Sequence, residues 1–397
     1  MNQLPPPWTE ADEVAARAAD LPGARTLLDS AELSALLGRQ AQISRVRIKP
    51  GHSVVAAFTT TDAEPGWAML TLDADKLSKA RHRAQDNSLA GTMPFRVHSE
   101  NRHYLFSGSI WADPVLAKDL GAARSALTRR AGTDQPWTVL RHNPRRRVVA
   151  VVPPVDGEHG AKIIRVASPR TTHTALETAQ RWRSMGLPLV RSTPLGGRGT
   201  AVGAPLWGWA DLASHPHGPA ALTAGAALGT LHQMTMSTHR APLPVHTESA
   251  AAAVASIAPW LGPQAHRLTQ RIEERFSALG PGVITELHGD LSPDQVVLAT
   301  PGSHKIRLID FDRAGAGDPM RDLGSWAAAC RRLELDGLIE DFWAGYITRS
   351  AVELARASVW EAFAQLSAAP DAFRLRLPDW PELLQRTLTL AEEALDR

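Results

Sequence analysis

The chain has 397 residues, 44% of them hydrophobic, so it can bury a real core and is long enough for two or three domains. Its 43 basic and 41 acidic residues leave a formal charge of +2, a near balance that gives no support for a nucleic-acid or membrane-surface partner. A single cysteine, Cys330, excludes an intrachain disulfide and suits a reducing, cytoplasmic setting. The opening stretch MNQLPPPWTEADEVAARAADLPG lacks the basic and apolar regions of a signal peptide, and the run VVAVV at 148–152 is too short to span a bilayer.

The first half carries a weak internal repeat. Residues 47–72, moved forward by 94 positions, fall on 141–166 without a gap, with 8 identities in 26 where chance gives about 2. The matches include Arg47/Arg141, Val54/Val148, Asp62/Asp156, Glu64/Glu158 and Gly66/Gly160. Both copies read as strand, tight turn, strand, a pattern that duplication and chance resemblance of short β-runs both produce. The segment TTHTALETAQRWRSMG then reads as a helix stopped by Gly186. From about 218 the chain is Ala- and Leu-rich and helical, strands return over 283–312, and helices resume from 325 to the end. The expected domains are a cap at 1–130, a β-rich lobe at 131–210 and a helical lobe at 211–397.

The stretch LHGDLSPDQVVL, 287–298, sits at the start of a strand, VVLA, which a Pro-Gly turn joins to a second strand, KIRLIDFD. Such a hairpin places the start of one strand beside the end of the other. Gln295 and Asp310 therefore share one mouth, with Asp290 on the loop just before it. Oxygen donors of this kind suit a hard cation such as Mg²⁺, which keeps water and phosphate in its shell. Asp290 is then free to take a proton from a hydroxyl nucleophile.

HGDLSPDQVVL followed by IDFDRAGAGDPMRDLG resembles the catalytic core of the aminoglycoside phosphotransferase/choline kinase superfamily, small-molecule relatives of protein kinases. His288, Asp290 and Gln295 fill the catalytic-loop places, and Asp310-Phe311-Asp312 the place of Asp-Phe-Gly. Gln where kinases have Asn is similar to the actinobacterial maltokinase-like and glucosamine-kinase-like branch. The resemblance implies an α+β, bilobal, protein-kinase-like fold with a β-rich N-lobe, a helical C-lobe and an extra N-terminal cap. It implies ATP and Mg²⁺ as cofactors, Asp290 as base, and Gln295 and Asp310 on the metal. Asp318 and Asp322 read as structural, orienting the loop or capping a helix.

A kinase also needs a cation on the nucleotide phosphates, held by a helix glutamate. Lys162 and Arg165 compete; three apart on a strand, they point to opposite faces. KIIRVAS is similar to the choline-kinase-like strand, which favours Arg165, and Glu177 on the following helix is the best partner. In the gapless repeat the places of Lys162, Arg165 and Glu177 are Ala68, Thr71 and Arg83, so the first copy lacks the grip. The tract NPRRR at 143–147 lacks a Gly-rich pattern and reads as a solvated hairpin tip or as arginines over the nucleotide. Residues 199–212 occupy the hinge position.

The acceptor is expected to be a small hydroxylated molecule: a sugar, an amino sugar or an aminoglycoside-like antibiotic. Glu334, Asp336, Glu340 and Asp341 are either amino-group ligands or a wet helix face, and Trp326 and Trp343 either sugar platforms or packing residues. Two other readings stay open: a Ser/Thr peptide kinase of a ribosomal-peptide pathway, and a catalytically silent nucleotide binder.

Overall fold

A computed structural model of the chain describes residues 7–87, 89, 91–154, 160–235 and 241–397. Helices α1 (Glu10–Ala18) and α2 (Ser30–Leu37) come first. α1 begins where Thr9 and Asp12 close a capping box, each accepting a hydrogen bond from the other's backbone N–H. Strands β1 (Ala41–Lys49), β2 (Ser53–Thr60) and β3 (Pro65–Thr71) follow, then α3 (Ala74–Asn87), β4 (Arg96–Ser99) and β5 (Tyr104–Ser109). They form an antiparallel sheet of order β1-β2-β3-β5-β4. β2 is apolar at consecutive positions because both its faces are covered. Val54, Ala56 and Phe58 join one core with α1 and α2, and Val55 joins another with Leu77 and Ala80 of α3.

Helix α4 (Ala117–Ala131) leads to β6 (Thr138–Asn143), β7 (Arg147–Val152), β8 (Lys162–Ala167), α5 (Pro169–Ser184), β9 (Thr193–Pro194) and β10 (Ala201–Pro205). This second sheet has the order β6-β7-β8-β10-β9, the same as the first. α4 covers one of its faces, where Leu120 and Leu127 pack on Val148, Val152, Ile164 and Val166. On the other face Arg147, Val149, Val151, Ile163 and Arg165 are only half-buried.

The registers correct the gapless repeat. Val55 pairs with Met69 in the first sheet, and its counterpart Val149 pairs with Arg165 in the second. Likewise Phe58 pairs with Gly66, and Val152 with Lys162. The first-sheet positions of Arg165 and Lys162 are thus Met69 and Gly66, not Thr71 and Ala68. A longer second turn shifts the third strand by two residues, and a gapless match cannot show such a shift. The pairs Asp62/Asp156 and Glu64/Glu158 lie partly outside the described residues.

The remainder is mostly helical: β11 (Ala210–Asp211), α6 (Gly218–Met234), α7 (Thr247–Ala255), α8 (Gly262–Leu279), β12 (Thr285–Leu287), β13 (Val296–Leu298), β14 (Ile306–Leu308), β15 (Gly315–Gly317), α9 (Met320–Arg332), α10 (Gly337–Tyr346), α11 (Leu354–Ala368), α12 (Asp371–Arg374) and α13 (Trp380–Asp396). α6 and α10 pack so closely that a Cβ on Gly225 would lie 1.9 Å from the Phe342 carbonyl oxygen, so only glycine fits there. Among the described residues no helix is long and apolar enough to cross a membrane.

The first sheet's unit touches both of the others. Asp12, 4% exposed, accepts hydrogen bonds from Arg376 Nη2 at 2.8 Å and Trp380 Nε1 at 2.9 Å. On the second sheet's side, the buried Asp113 accepts the backbone N–H of Arg145 at 2.8 Å, at the tip of the β6–β7 hairpin. The core of α1, α2 and β2 runs continuously into that of α6–α13.

Candidate active site

β13 and β14 pair antiparallel through Val296/Leu308, Val297/Arg307 and Leu298/Ile306. At the open end the Ile309 N–H donates to the Gln295 carbonyl at 3.1 Å, which places Gln295 and Asp310 on neighbouring rungs. Gln295 is 7% exposed and its Oε1 is buried without a hydrogen-bond partner. Such an orphan acceptor costs about 1–3 kcal/mol unless a ligand completes it. Asp310 has φ of 64°, unusual for a residue with a Cβ, and this turns the chain into a short 3-10 segment, Phe311–Arg313.

The loop carrying His288 and Asp290 is held from below by Asp322. Its carboxylate accepts the N–H of His288 at 2.8 Å and of Gly289 at 2.7 Å, and pairs with His232 Nε2 at 3.3 Å. His232 in turn meets the Tyr346 hydroxyl at 2.9 Å. Burial works to raise the Asp322 carboxyl, but the hydrogen bond and charge of His232, the charge of His288 and the Gly289 N–H outweigh it and hold the group below the usual carboxylate range. His288 is itself buried; its Nε2–H donates to the Ile309 carbonyl at 3.0 Å, tying loop to hairpin. Gly289, at φ 85°, would place a Cβ 2.1 Å from the Arg313 carbonyl oxygen, so this turn demands glycine on two counts.

Asp290 sits beside Arg313, whose Nη1 donates to it at 2.9 Å. It keeps 45% of its side chain open to solvent. Loss of water, with Asp310 and Asp371 nearby, raises its carboxyl above the ordinary value against the pull of Arg313 and His288. Asp318 acts elsewhere, accepting from the Met320 N–H at 2.9 Å, at the start of α9, and from Arg356 at 3.2 Å.

Two arginines cross from the second sheet. Arg147 Nη1 donates to Asp310 at 2.8 Å and to Asp312 at 2.6 Å, and Arg165 donates to Asp312. Lys162 lies on the opposite face, with Ile164, lining a cavity of about 320 Å³ beside α4. The expected Arg165–Glu177 pair does not form. Glu177 is exposed and pairs with His173 one turn away at 3.4 Å. α5 instead docks through Arg181 and Trp182, which donate to Glu286 at 2.7 and 2.5 Å, while Trp182 packs edge-on against Phe311. Arg147 was visible in the sequence only as one member of an arginine run. Asp312, where the kinase motif has glycine, was its one sequence signal.

Two of the four acidic residues of 334–341 are paired elsewhere, Glu334 with Arg386 and Asp336 with Arg331. Trp326 is fully buried and stacks on Phe342 at 4.2 Å, a packing role. Residues 206–209 connect β10 to β11, which pairs with β13, so they bridge the second sheet and the helical lobe.

No curated protein matches the chain in sequence. Among solved structures it is similar to a microcompartment-associated aminopropanol kinase, with a TM-score of 0.54 at 17% identity over 70% of this chain and 95% of that one. It is similar to a choline/ethanolamine kinase family protein from Mesorhizobium loti, with a TM-score of 0.50 at 14% identity over 69% and 94%. It also resembles a thermostable mutant of aminoglycoside phosphotransferase APH(4)-Ia in ternary complex with AMP-PNP and hygromycin B, at 0.50 and 15% identity over 69% and 98%. These likenesses establish the expected bilobal, kinase-like α+β fold. Residues 155–360 match the family described as phosphotransferase enzyme family (APH), a span that covers the Arg165 strand, the HGD loop and the β13–β14 hairpin, and the chain belongs to that family.

Proposed function

We propose that the protein is an ATP- and Mg²⁺-dependent kinase that phosphorylates a hydroxyl of a small molecule such as a sugar, an amino sugar or an aminoglycoside-like antibiotic. The observation that carries this reading is the hairpin mouth, where Gln295 presents an unpartnered oxygen beside Asp310 and next to the loop of Asp290. One carboxylate and one carboxamide are too few to cage a metal alone, which is the donor set expected for Mg²⁺ completed by phosphate oxygens and water. Once bound, the ion would neutralise charge on the transferring phosphoryl group.

The nucleotide would lie against the half-buried face of the second sheet, with its base on Val149, Val151 and Ile163 and its phosphates towards Arg147 and Arg165. Arg165 is the stronger phosphate-gripping candidate, because it faces Asp312 while Lys162 faces α4. The hinge at 206–209 would supply backbone groups to the base. Asp290 would orient the acceptor hydroxyl and take its proton, with His288 and Asp322 fixing the loop. Gln295 and the extra N-terminal sheet support a place near the maltokinase-like branch, with residues 1–130 as a cap.

The decisive test is Asp290→Asn. It should lower phosphoryl transfer by about 10²–10⁴-fold while Mg-AMP-PNP binding, read by calorimetry, stays near the wild-type value. Full activity in the variant would remove Asp290 as base, and wild-type protein that does not bind Mg-AMP-PNP would remove the kinase reading itself.

A further inference from the structure

Each charged side chain of the turn 310–313 is ion-paired: Asp310 and Asp312 with arginines of the second sheet, and Arg313 with Asp290. The φ of 64° at Asp310 starts this turn, and Phe311 packs between the rings of Trp182 and His288, at centroid distances of 5.4 and 5.3 Å. The register fixes the two arginines as diagonal neighbours, since Arg147 pairs with Ala167 and Val149 with Arg165. Such positions on adjacent strands share a face and stand about 7–8 Å apart, so side chains of this length reach a common carboxylate. Arg147 Nη1 donates to two carboxylates at once, 2.8 Å to Asp310 Oδ1 and 2.6 Å to Asp312 Oδ2, while Arg165 Nη2 donates to Asp312 Oδ1. Asp312 thus has one oxygen on each arginine, and Arg147 has one nitrogen on both carboxylates. All four side chains are only 15 to 25% exposed, so these pairs are screened less than pairs on an open surface.

The charges balance, two against two, and the balance sets up a conflict at Asp310. The carboxylate proposed for the metal is already neutralised by Arg147, so a metal ion entering there must displace the guanidinium. A lone Arg147–Asp310 pair would have to break outright, at the cost of a charge-assisted hydrogen bond. The bond to Asp312 changes this: Arg147 can leave Asp310 and still be held at the cleft. Glycine, which the kinase motif has at this place, offers no second acceptor.

We infer that Asp312 is a positioning residue that makes Asp310 exchangeable: it retains Arg147 and Arg165 at the cleft when Arg147 gives up Asp310 to a metal-nucleotide. This rests on the kinase reading and adds the device by which its metal site is loaded. Asp312 acts through the arginines and needs no bond of its own to the metal. Its effect is read in one quantity, the ratio of the AMP-PNP dissociation constants without and with Mg²⁺, which reports what the metal adds. Asp312→Asn leaves Arg147 with Asp310 alone, so metal entry breaks that pair outright and the ratio falls. Arg147→Gln leaves Asp310 bare, a charge that repels metal-free phosphates and attracts the metal. The ratio then rises, even though both affinities weaken.

The experiment titrates AMP-PNP calorimetrically, in EDTA and in excess Mg²⁺, into the full chain of the wild type, Asp312→Asn, Asp312→Glu, Arg147→Gln and the Arg147→Gln/Asp312→Asn double variant. A urea midpoint checks that each is folded. The ratio is expected to fall by about fivefold or more in Asp312→Asn, the size of one hydrogen bond to a charged group, and to stay nearer the wild-type value in Asp312→Glu, which keeps the charge. In the Arg147→Gln background the same Asp312→Asn change should move the ratio by less than about twofold, because the arginine to be retained is gone. A smaller fall in Asp312→Asn, or an equal fall with and without Arg147, would overturn the proposal. So would a ratio below the wild-type value in Arg147→Gln, and that arm decides alone if Asp312→Asn does not fold. Wild-type protein that binds AMP-PNP equally well with and without Mg²⁺, or not at all, would instead strike the kinase reading.

Discussion

Arg147 donates to Asp310 at 2.8 Å across the cleft, joining residues 163 apart in sequence. Burial disfavours the Arg147 charge, but Asp310 and Asp312 outweigh it and raise its pKa. The guanidinium thus supplies positive charge to the carboxylate proposed to hold a metal. If a metal-nucleotide takes that carboxylate as proposed, Arg147 would be left beside the phosphates. Arg147→Gln should therefore weaken Mg-AMP-PNP binding by about tenfold or more, the size of one charge-assisted hydrogen bond. Arg147→Lys should restore part of it. Calorimetric titration checks both, and unchanged affinity would leave Arg147 as a tie between lobes only.

Gln295 offers a separation of binding from stability. Its Oε1 makes no hydrogen bond in the structure, so Gln295→Leu breaks no hydrogen bond at that atom. Stability should change by less than about 1 kcal/mol, because an orphan polar atom is replaced by an apolar group of similar size. The Mg²⁺ concentration for half-maximal ADP release should rise by about tenfold. Asp310→Asn should also weaken metal-nucleotide binding. If Gln295→Leu leaves the Mg²⁺ dependence unmoved, the carboxamide is not a metal ligand.

The hairpin was legible in the sequence because its signals are local. A β-branched run, a Pro-Gly turn and a second run bring Gln295 and Asp310 together within 16 residues, leaving little freedom for error. Glu177 was misplaced because helix phase decides which charge faces inward. On α5 that phase turns Arg181 and Trp182 towards Glu286 and leaves Glu177 in solvent. The repeat register slipped for a related reason: two residues added in a turn move every later position, and identity at scattered sites does not record it. Arg147 and Arg165 meeting Asp312 is a contact between lobes, and no local pattern encodes one.

Asp322 gives a pH-dependent prediction. Its carboxylate carries the backbone of the HGD loop and the buried His232, so Asp322→Asn should cost about 3 kcal/mol, read as a lower urea midpoint. The folded-state pKa is depressed relative to the unfolded value. The stabilisation is then fully present above the unfolded Asp value, near 3.9, and is lost as pH falls through the lower folded value. The gap between wild type and Asp322→Asn should stay constant from neutral pH to about pH 5 and shrink below pH 4. A gap that widens on acidification would reverse this assignment.

Asp12 tests how the N-terminal unit is fixed. Its buried carboxylate gathers Arg376, Trp380 and the Thr9 backbone, and Arg376 holds φ of 54° to reach it. Burial raises the Asp12 carboxyl, but the charge and hydrogen bond of Arg376 override it and keep the group ionised at neutral pH. Asp12→Ala removes one partner of a buried pair and strands the Arg376 charge, a change that typically costs 3–5 kcal/mol. The loss should fall first on docking, because Asp12 joins α1 to α12–α13 and does not sit within the first sheet. Limited proteolysis should therefore cut near residues 1–40 in Asp12→Ala before the helical lobe unfolds. Arg376→Ala strands the Asp12 carboxylate in turn, but it leaves that group the hydrogen bonds of Trp380 and Thr9, so it should do less harm. Equal damage from both variants, with no early cleavage, would mean that the apolar core shared by α1, α2 and the helical lobe holds the unit in place without the ion pair.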